Sequence, residues 1–252
     1  MEPDDIVNKI IEGLTRFRGK VNVVNHEIDV HVQLKYFDFS RSVQVQIGEE
    51  DLEERITELN TCQNFEKQKE LLVALSHKVD VKAFRAIENF EKGTNGEIQE
   101  WARMALAEAK MLLEGELLGE NQLFISTGLG GSGSSFRYFI VLFANSENSL
   151  EEFQCKIVKN EINFIFKEYN AKLEEIEFIN NFVTIVALIP FETPINNVFN
   201  RAIDASNEFG NFMSYNFLIN NAKRMTPEEI KEFVDKEKEN IMNKGIEFDK
   251  KN

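Results

Sequence analysis

Along the 252 residues of the chain the spacing of apolar positions changes character more than once, and each change marks a region. Between residues 1 and 50, Ile6, Ile10, Leu14 and Phe17 recur at helical spacing behind Pro3 and Asp4-Asp5, and Gly19 ends the pattern. That is a helix start, an apolar stripe and a stop. In the following KVNVVNHEIDVHVQLKYFDF, Val21 and Val23, then Ile28, Val30, Val32 and Leu34, alternate with polar residues, the two-residue period of half-buried strands. From 51 to 120 the period is helical in four successive segments: DLEERITELN, FEKQKELLVALSHK, VKAFRAIENFEK and GEIQEWARMALAEAKMLLEGELL. Their connections are only a few residues long, which turns each helix back on its neighbour. Val81, Phe84, Ile87 and Phe90 share one face of the third segment, and Ile98, Trp101, Ala105, Leu106 and Ala109 one face of the fourth, so Trp101 is expected in a core.

The third region, 121–225, alternates strands with helices. NQLFIST and FRYFIVLFA read as strands on either side of STGLGGSGSS. SLEEFQCKIVKNEINFIFKEYN reads as a helix with Ser149 and Glu152 as a capping box. KLEEIEFIN and NFVTIVALIPF are strands joined at Asn180-Asn181, and Thr193, Pro194 and Gly210 punctuate the next helix before a last strand, NFMSYNFLIN. From Phe136 the order is β-α-β-β-α-β. RYFIVLF and FVTIVALI are apolar on both faces, as central strands require, whereas LEEIEF and FMSYNF mix polar with apolar positions, as edge strands do. Residues 226–252 open with Thr226, Pro227 and Glu229, a helix start, and carry a thin stripe of Ile230, Phe233, Val234 and Ile241. The expected class is α+β, with the helical region followed by a βαββαβ sandwich to which Gln122–Thr127 adds a hairpin strand, and with the C-terminal helix docked on it.

Two resemblances follow. The paired helices over about 64–118, EWARMALAEA above all, resemble HEAT-type repeats, which implies a packing or protein-binding surface. The order over about 136–220 is similar to the ferredoxin-like plan. Modules of the ACT type share that plan and bind metabolites, which makes a small-molecule sensor the alternative reading.

The glycine stretch, Gly128, Leu129, Gly130, Gly131, Ser132 and Gly133, has the composition of a phosphate-cradling loop, with Arg137 at its foot. A phosphate loop needs a helix directly after it and a Gly-Lys-Ser/Thr ending, and here a strand follows. The stretch is therefore read as a mobile hairpin connection and candidate recognition loop, an anion site being the minor reading.

A formal charge of −14 disfavours phosphate backbones and anionic membranes at long range. Cys62 and Cys155 are too far apart to form a CxxC pair. His26 and His31 lack a third ligand, and His77 has no nucleophile motif beside it. An acidic, interrupted start and the lack of a long apolar run point to a cytoplasmic protein without a membrane span. The functional expectation is a non-enzymatic interaction or scaffold protein that binds a protein partner or a second copy of itself. No nucleic acid, cofactor, metal or catalytic residue is expected, and a small-molecule ligand is left open.

Overall fold

The computed structural model of the protein describes residues 20–42, 51–119 and 122–236. The expected helix built on Ile6 to Phe17, its stop at Gly19, and Ile241 lie outside them. The described elements are β1 (Lys20–Val23), α1 (Val30–Ser42), α2 (Leu52–Thr61), α3 (Phe65–Ser76), α4 (Val81–Gly93), α5 (Gly96–Leu118), β2 (Gln122–Ile125), β3 (Gly131–Ser132), β4 (Ser135–Ala144), α6 (Glu152–Glu168), β5 (Lys172–Ile179), β6 (Phe182–Pro190), α7 (Ile195–Asn207), β7 (Met213–Asn220) and α8 (residues 227–236). The class is α+β, with an antiparallel sheet ordered β7-β4-β6-β5.

The expected alternation over 28–34 is replaced by helix α1. Ile28, Val32 and Tyr36 fit a two-residue period over a short window, but they also stand four apart, and Ser40 continues the series on the buried side. Asp29 starts the helix by accepting from the His31 N–H at 2.7 Å, and Gln33 ties it down by donating to Ile28 O at 2.8 Å and Thr127 O at 3.1 Å. One core forms where α1–α5 meet, from Leu71, Leu75, Ile87, Phe90, Trp101 and the alanine face of α5. The small side chains of Ala102, Ala105 and Ala109 let α3 and α4 approach α5 closely. Tyr36 and Phe39 meet the Trp101 ring edge-on, at 5.4 and 5.7 Å between centroids. Val81, expected on the inner face of α4, is exposed, and Ala83 and Ala86 take its place.

The central strands of the sheet are β4 and β6, as their two-sided apolar sequences require. Ile140, Leu142, Val183, Ile185 and Ala187 face α6 and α7, whereas Phe139, Val141 and Val186 face the other way. Leu129 of the glycine stretch and Ile230 of α8 cover that second face. Helix α8 begins with the expected box, Thr226 N–H donating to Glu229 at 3.0 Å and Glu229 N–H to Thr226 Oγ1 at 3.3 Å. The box before α6 sits two residues later than expected, on Glu151 and Gln154.

The additional hairpin strand is β3, inside the glycine stretch and antiparallel to β4. It is not Gln122–Thr127. β2 pairs in parallel with β1 instead, because Phe124 packs on the helical core, and the whole α1–α5 series forms the crossover that a parallel pair needs.

Candidate functional site

The glycine stretch is the joint between the helical half and the sheet. Leu129 is 1% exposed, and burying a leucine contributes about 2 kcal/mol. Its neighbours are glycines because backbone lies against them. A Cβ on Gly128 would stand 1.7 Å from Ala222 O, and one on Gly131 would stand 2.2 Å from Ser135 O. Gly130 adds a φ of +68° to an approach of 2.5 Å to His26 O. The amides are committed to protein acceptors: Leu129 N–H to Asn221 O at 3.0 Å, Gly130 N–H to Thr127 O at 3.0 Å and Gly131 N–H to Val24 O at 2.8 Å. Ile28 N–H in turn donates to Gly128 O at 3.0 Å, and Val23 N–H to Gly133 O at 2.8 Å.

Arg137 belongs to the same joint. Its Nη1 donates to Leu129 O at 2.8 Å and to Asn25 O at 3.4 Å, while Nε and Nη2 form a bidentate pair with Glu174. That pair holds the Glu174 carboxyl below the usual range against the opposing effect of burial. Two expectations are corrected here. The stretch is not a mobile tip, because a buried leucine and interlocked backbone hold it. At Leu129–Gly131 it is not an anion cradle either, because those three amides donate internally and Arg137 is paired with a carboxylate.

Beside the joint opens a cleft of about 390 Å³, lined by residues that include His26, Phe84, Arg103, Lys110, Phe124 and the exposed Ser132-Gly133 tip of the stretch. That volume falls at the small end of ligand clefts, which run from about 300 to 1,000 Å³. Three basic side chains converge on it. Arg103 donates from Nε to Glu91 at 2.9 Å and from Nη1 to Glu27 O at 3.4 Å, and its Nη2 has no partner among the described residues. Lys110 is half-exposed and only loosely paired, 3.7 Å from Glu114. His26 is pushed below its ordinary value, first by burial and then by the positive charges of Arg103 and Arg137, with Glu91 opposing. Phe84, Leu106 and Phe124 lie on the edge of the helical core and supply apolar wall.

Of the expected site residues, Ser132 and Gly133 line this cleft; Gly128, Leu129, Gly130 and Arg137 are structural parts of the joint behind it. The sequence reading missed His26, Arg103 and Lys110. A signal for two of them existed in α5, where Arg103, Leu106, Ala107 and Lys110 recur at helical spacing on a side away from Trp101 and Ala105. His26, set aside in the sequence for want of a third ligand, is half-buried.

A second polar cluster lies in the helical core. Glu108 accepts from Tyr36 Oη at 2.6 Å, Ser76 Oγ at 3.0 Å and Ser40 Oγ at 3.1 Å, and its Oε1 lies 3.3 Å from His77 Nε2. Ser40 Oγ is also 3.0 Å from the same His77 nitrogen. This is not a nucleophile triad. The carboxylate sits on the nitrogen that would have to accept the serine proton, and it takes that hydroxyl's hydrogen bond itself. Among the described residues no group of three or more metal-ligating side chains occurs, and no helix is long and apolar enough to cross a membrane.

No family model and no curated protein matches the chain. Solved structures do match in part. One is assigned as a transposase from Deinococcus radiodurans, at 11% identity and a TM-score of 0.36, over 40% of this chain and 90% of that one. Another is a REP-associated tyrosine transposase bound to a REP hairpin, at 11% identity and a TM-score of 0.31, over 40% of this chain and 62% of that one. These matches correct the expectations of a non-enzymatic scaffold or sensor and of a partner set without nucleic acid. Both matched proteins are transposases, and one of them is bound to a REP hairpin. At such scores the likeness assigns no activity to this chain.

Proposed function

We propose that the cleft beside the glycine joint binds the phosphate of a nucleotide unit, either free or at the end of a single strand. One observation carries the reading: in a chain of formal charge −14, Arg103, Lys110 and His26 meet on one concave surface with the aromatic rings of Phe84 and Phe124 beside them. A guanidinium with open Nη2 hydrogens and an ammonium suit phosphate oxygens, and an aromatic wall suits the flat face of a base. The acidic remainder of the surface limits the ligand to a short one, because a long polyanion meets repulsion everywhere outside the cleft. A neutral, half-buried His26 becomes a second hydrogen-bond donor when the ligand's charge draws a proton onto it. On this reading the HEAT-like helix pair serves to present α5 to the cleft. The two free thiols suit a reducing compartment such as the cytoplasm.

Calorimetric titration tests it, with adenosine 5′-monophosphate, a 5′-phosphorylated dinucleotide and unphosphorylated adenosine as ligands. Binding is expected for the phosphorylated ligands only, weakened about tenfold or more by Lys110→Gln and further by Arg103→Gln. Circular dichroism verifies that both variants are folded. Binding that ignores the phosphate, or survives both substitutions, overturns the reading.

A further inference from the structure

We infer that a second cavity, between α8 and the face of the sheet turned away from α6 and α7, is a binding site for an alkylammonium group, as a free amine or as a lysine side chain. The cavity holds about 200 Å³ and is walled by Phe139, Ile179, Val186, Met225, Pro227 and Ile230. It does not depend on the phosphate cleft.

The polar end of the cavity is built by strand register. Thr184 of β6 stands directly opposite Glu177 of β5, and Val186 opposite Glu175, so these four side chains share the second face in two adjacent rows. Glu175 is occupied, accepting from Arg224 Nη1 at 2.6 Å, and Arg224 also donates to Glu27 at 3.0 Å. Glu177 has no ion pair or hydrogen bond to another described side chain, and Thr184, 8% exposed, lines the same cavity beside it.

A carboxylate and a hydroxyl on adjacent strands offer acceptors to an N–H₃⁺ group, which has three donors and no acceptor. The apolar walls accommodate the methylene stem that such a group carries. The surrounding field favours the same sign, because Arg224, the one cation lining the cavity among the described residues, is already neutralised by two carboxylates.

The test is titration at neutral pH of n-pentylammonium, Nα-acetyl-lysine N-methylamide and 1-pentanol, followed by methyl NMR shifts of Ile179, Val186 and Ile230. Either ammonium ligand is expected to shift those methyls and to bind about tenfold or more tightly than the alcohol. The stronger of the two tells a free amine from a lysine side chain. Glu177→Gln, at an exposed position that the fold does not need, should bring amine and alcohol within about twofold, and Thr184→Val should weaken the amine alone. Equal binding of amine and alcohol, no binding of any of the three, shifts confined to other methyls, or an undiminished preference in Glu177→Gln each overturn the proposal.

Discussion

The helical half and the glycine joint both bury polar atoms, and they satisfy them by opposite means. In the helical half side chains do it: Tyr36, Ser40, Ser76 and His77 gather around one carboxylate, Glu108. At the joint the backbone does it, with carbonyls and amides of 128–133 interlocked with those of 23–28 and 221, and side chains removed where they would collide. The difference teaches where each region is vulnerable. Shortening a side chain damages the first, and adding a single carbon damages the second.

The largest effect is therefore expected at Gly128. Gly128→Ala drives a methyl into the Ala222 carbonyl, and backbone on both sides leaves little room to relax. A loss of about 4 kcal/mol in chemical denaturation is expected, at the far end of the range for one substitution. Next comes Glu108→Ala, which removes the shared acceptor of three buried hydroxyls and an imidazole and should cost about 3 kcal/mol. Arg137→Ala, which leaves Glu174 unpaired and the Leu129 carbonyl without its charged donor, should cost about 2 kcal/mol in the same measurement. The smallest effect is Gly133→Ala. Its φ is +57° but nothing lies within 4 Å of the added carbon, so only about 1 kcal/mol of left-handed strain applies. If Gly128→Ala and Gly133→Ala proved equally mild, the contrast between joint and tip would fail.

The carboxylate cluster also makes a pH prediction. The hydrogen bond to Glu108 raises the His77 value above 6.5, against burial, so the charged imidazole stabilises the fold fully below about pH 6.5. That contribution is lost as pH rises through the raised value. Burial would raise Glu108, but the hydrogen bonds from His77 and Tyr36 outweigh it and hold the group below 4.5. Its contribution is present above about pH 4.5 and is lost as pH falls through the lowered value. Thermal unfolding followed across pH 3 to 9 should show a plateau between these limits, and His77→Gln should remove the decline on its alkaline side.

What the sequence made legible was local. The β-α-β-β-α-β order, the two-sided apolar strands at the sheet centre and the Thr226–Glu229 box are set by period and by neighbouring residues. Helix α1 was misread because spacings of two and four coincide at Ile28, Val32 and Tyr36; the arbiter was the Asp29 cap, one residue among several polar ones. The glycine stretch was misread for a deeper reason. Four glycines permit both disorder and the tightest backbone packing, and which of the two obtains depends on residues near 24 and 222, remote in sequence. The cleft was illegible for the same cause, since His26, Arg103 and Ser132 come from three separate segments and only Arg103 and Lys110 share a pattern.

The most direct test of the joint is hydrogen exchange at single amides of the glycine stretch. The amides of Leu129 and Gly131, bonded to Asn221 O and Val24 O, should exchange as slowly as those of central strand β4. Exchange of Leu129 and Gly131 at the unprotected rate of an open loop would contradict the account, and the cleft built against the joint would lose its wall.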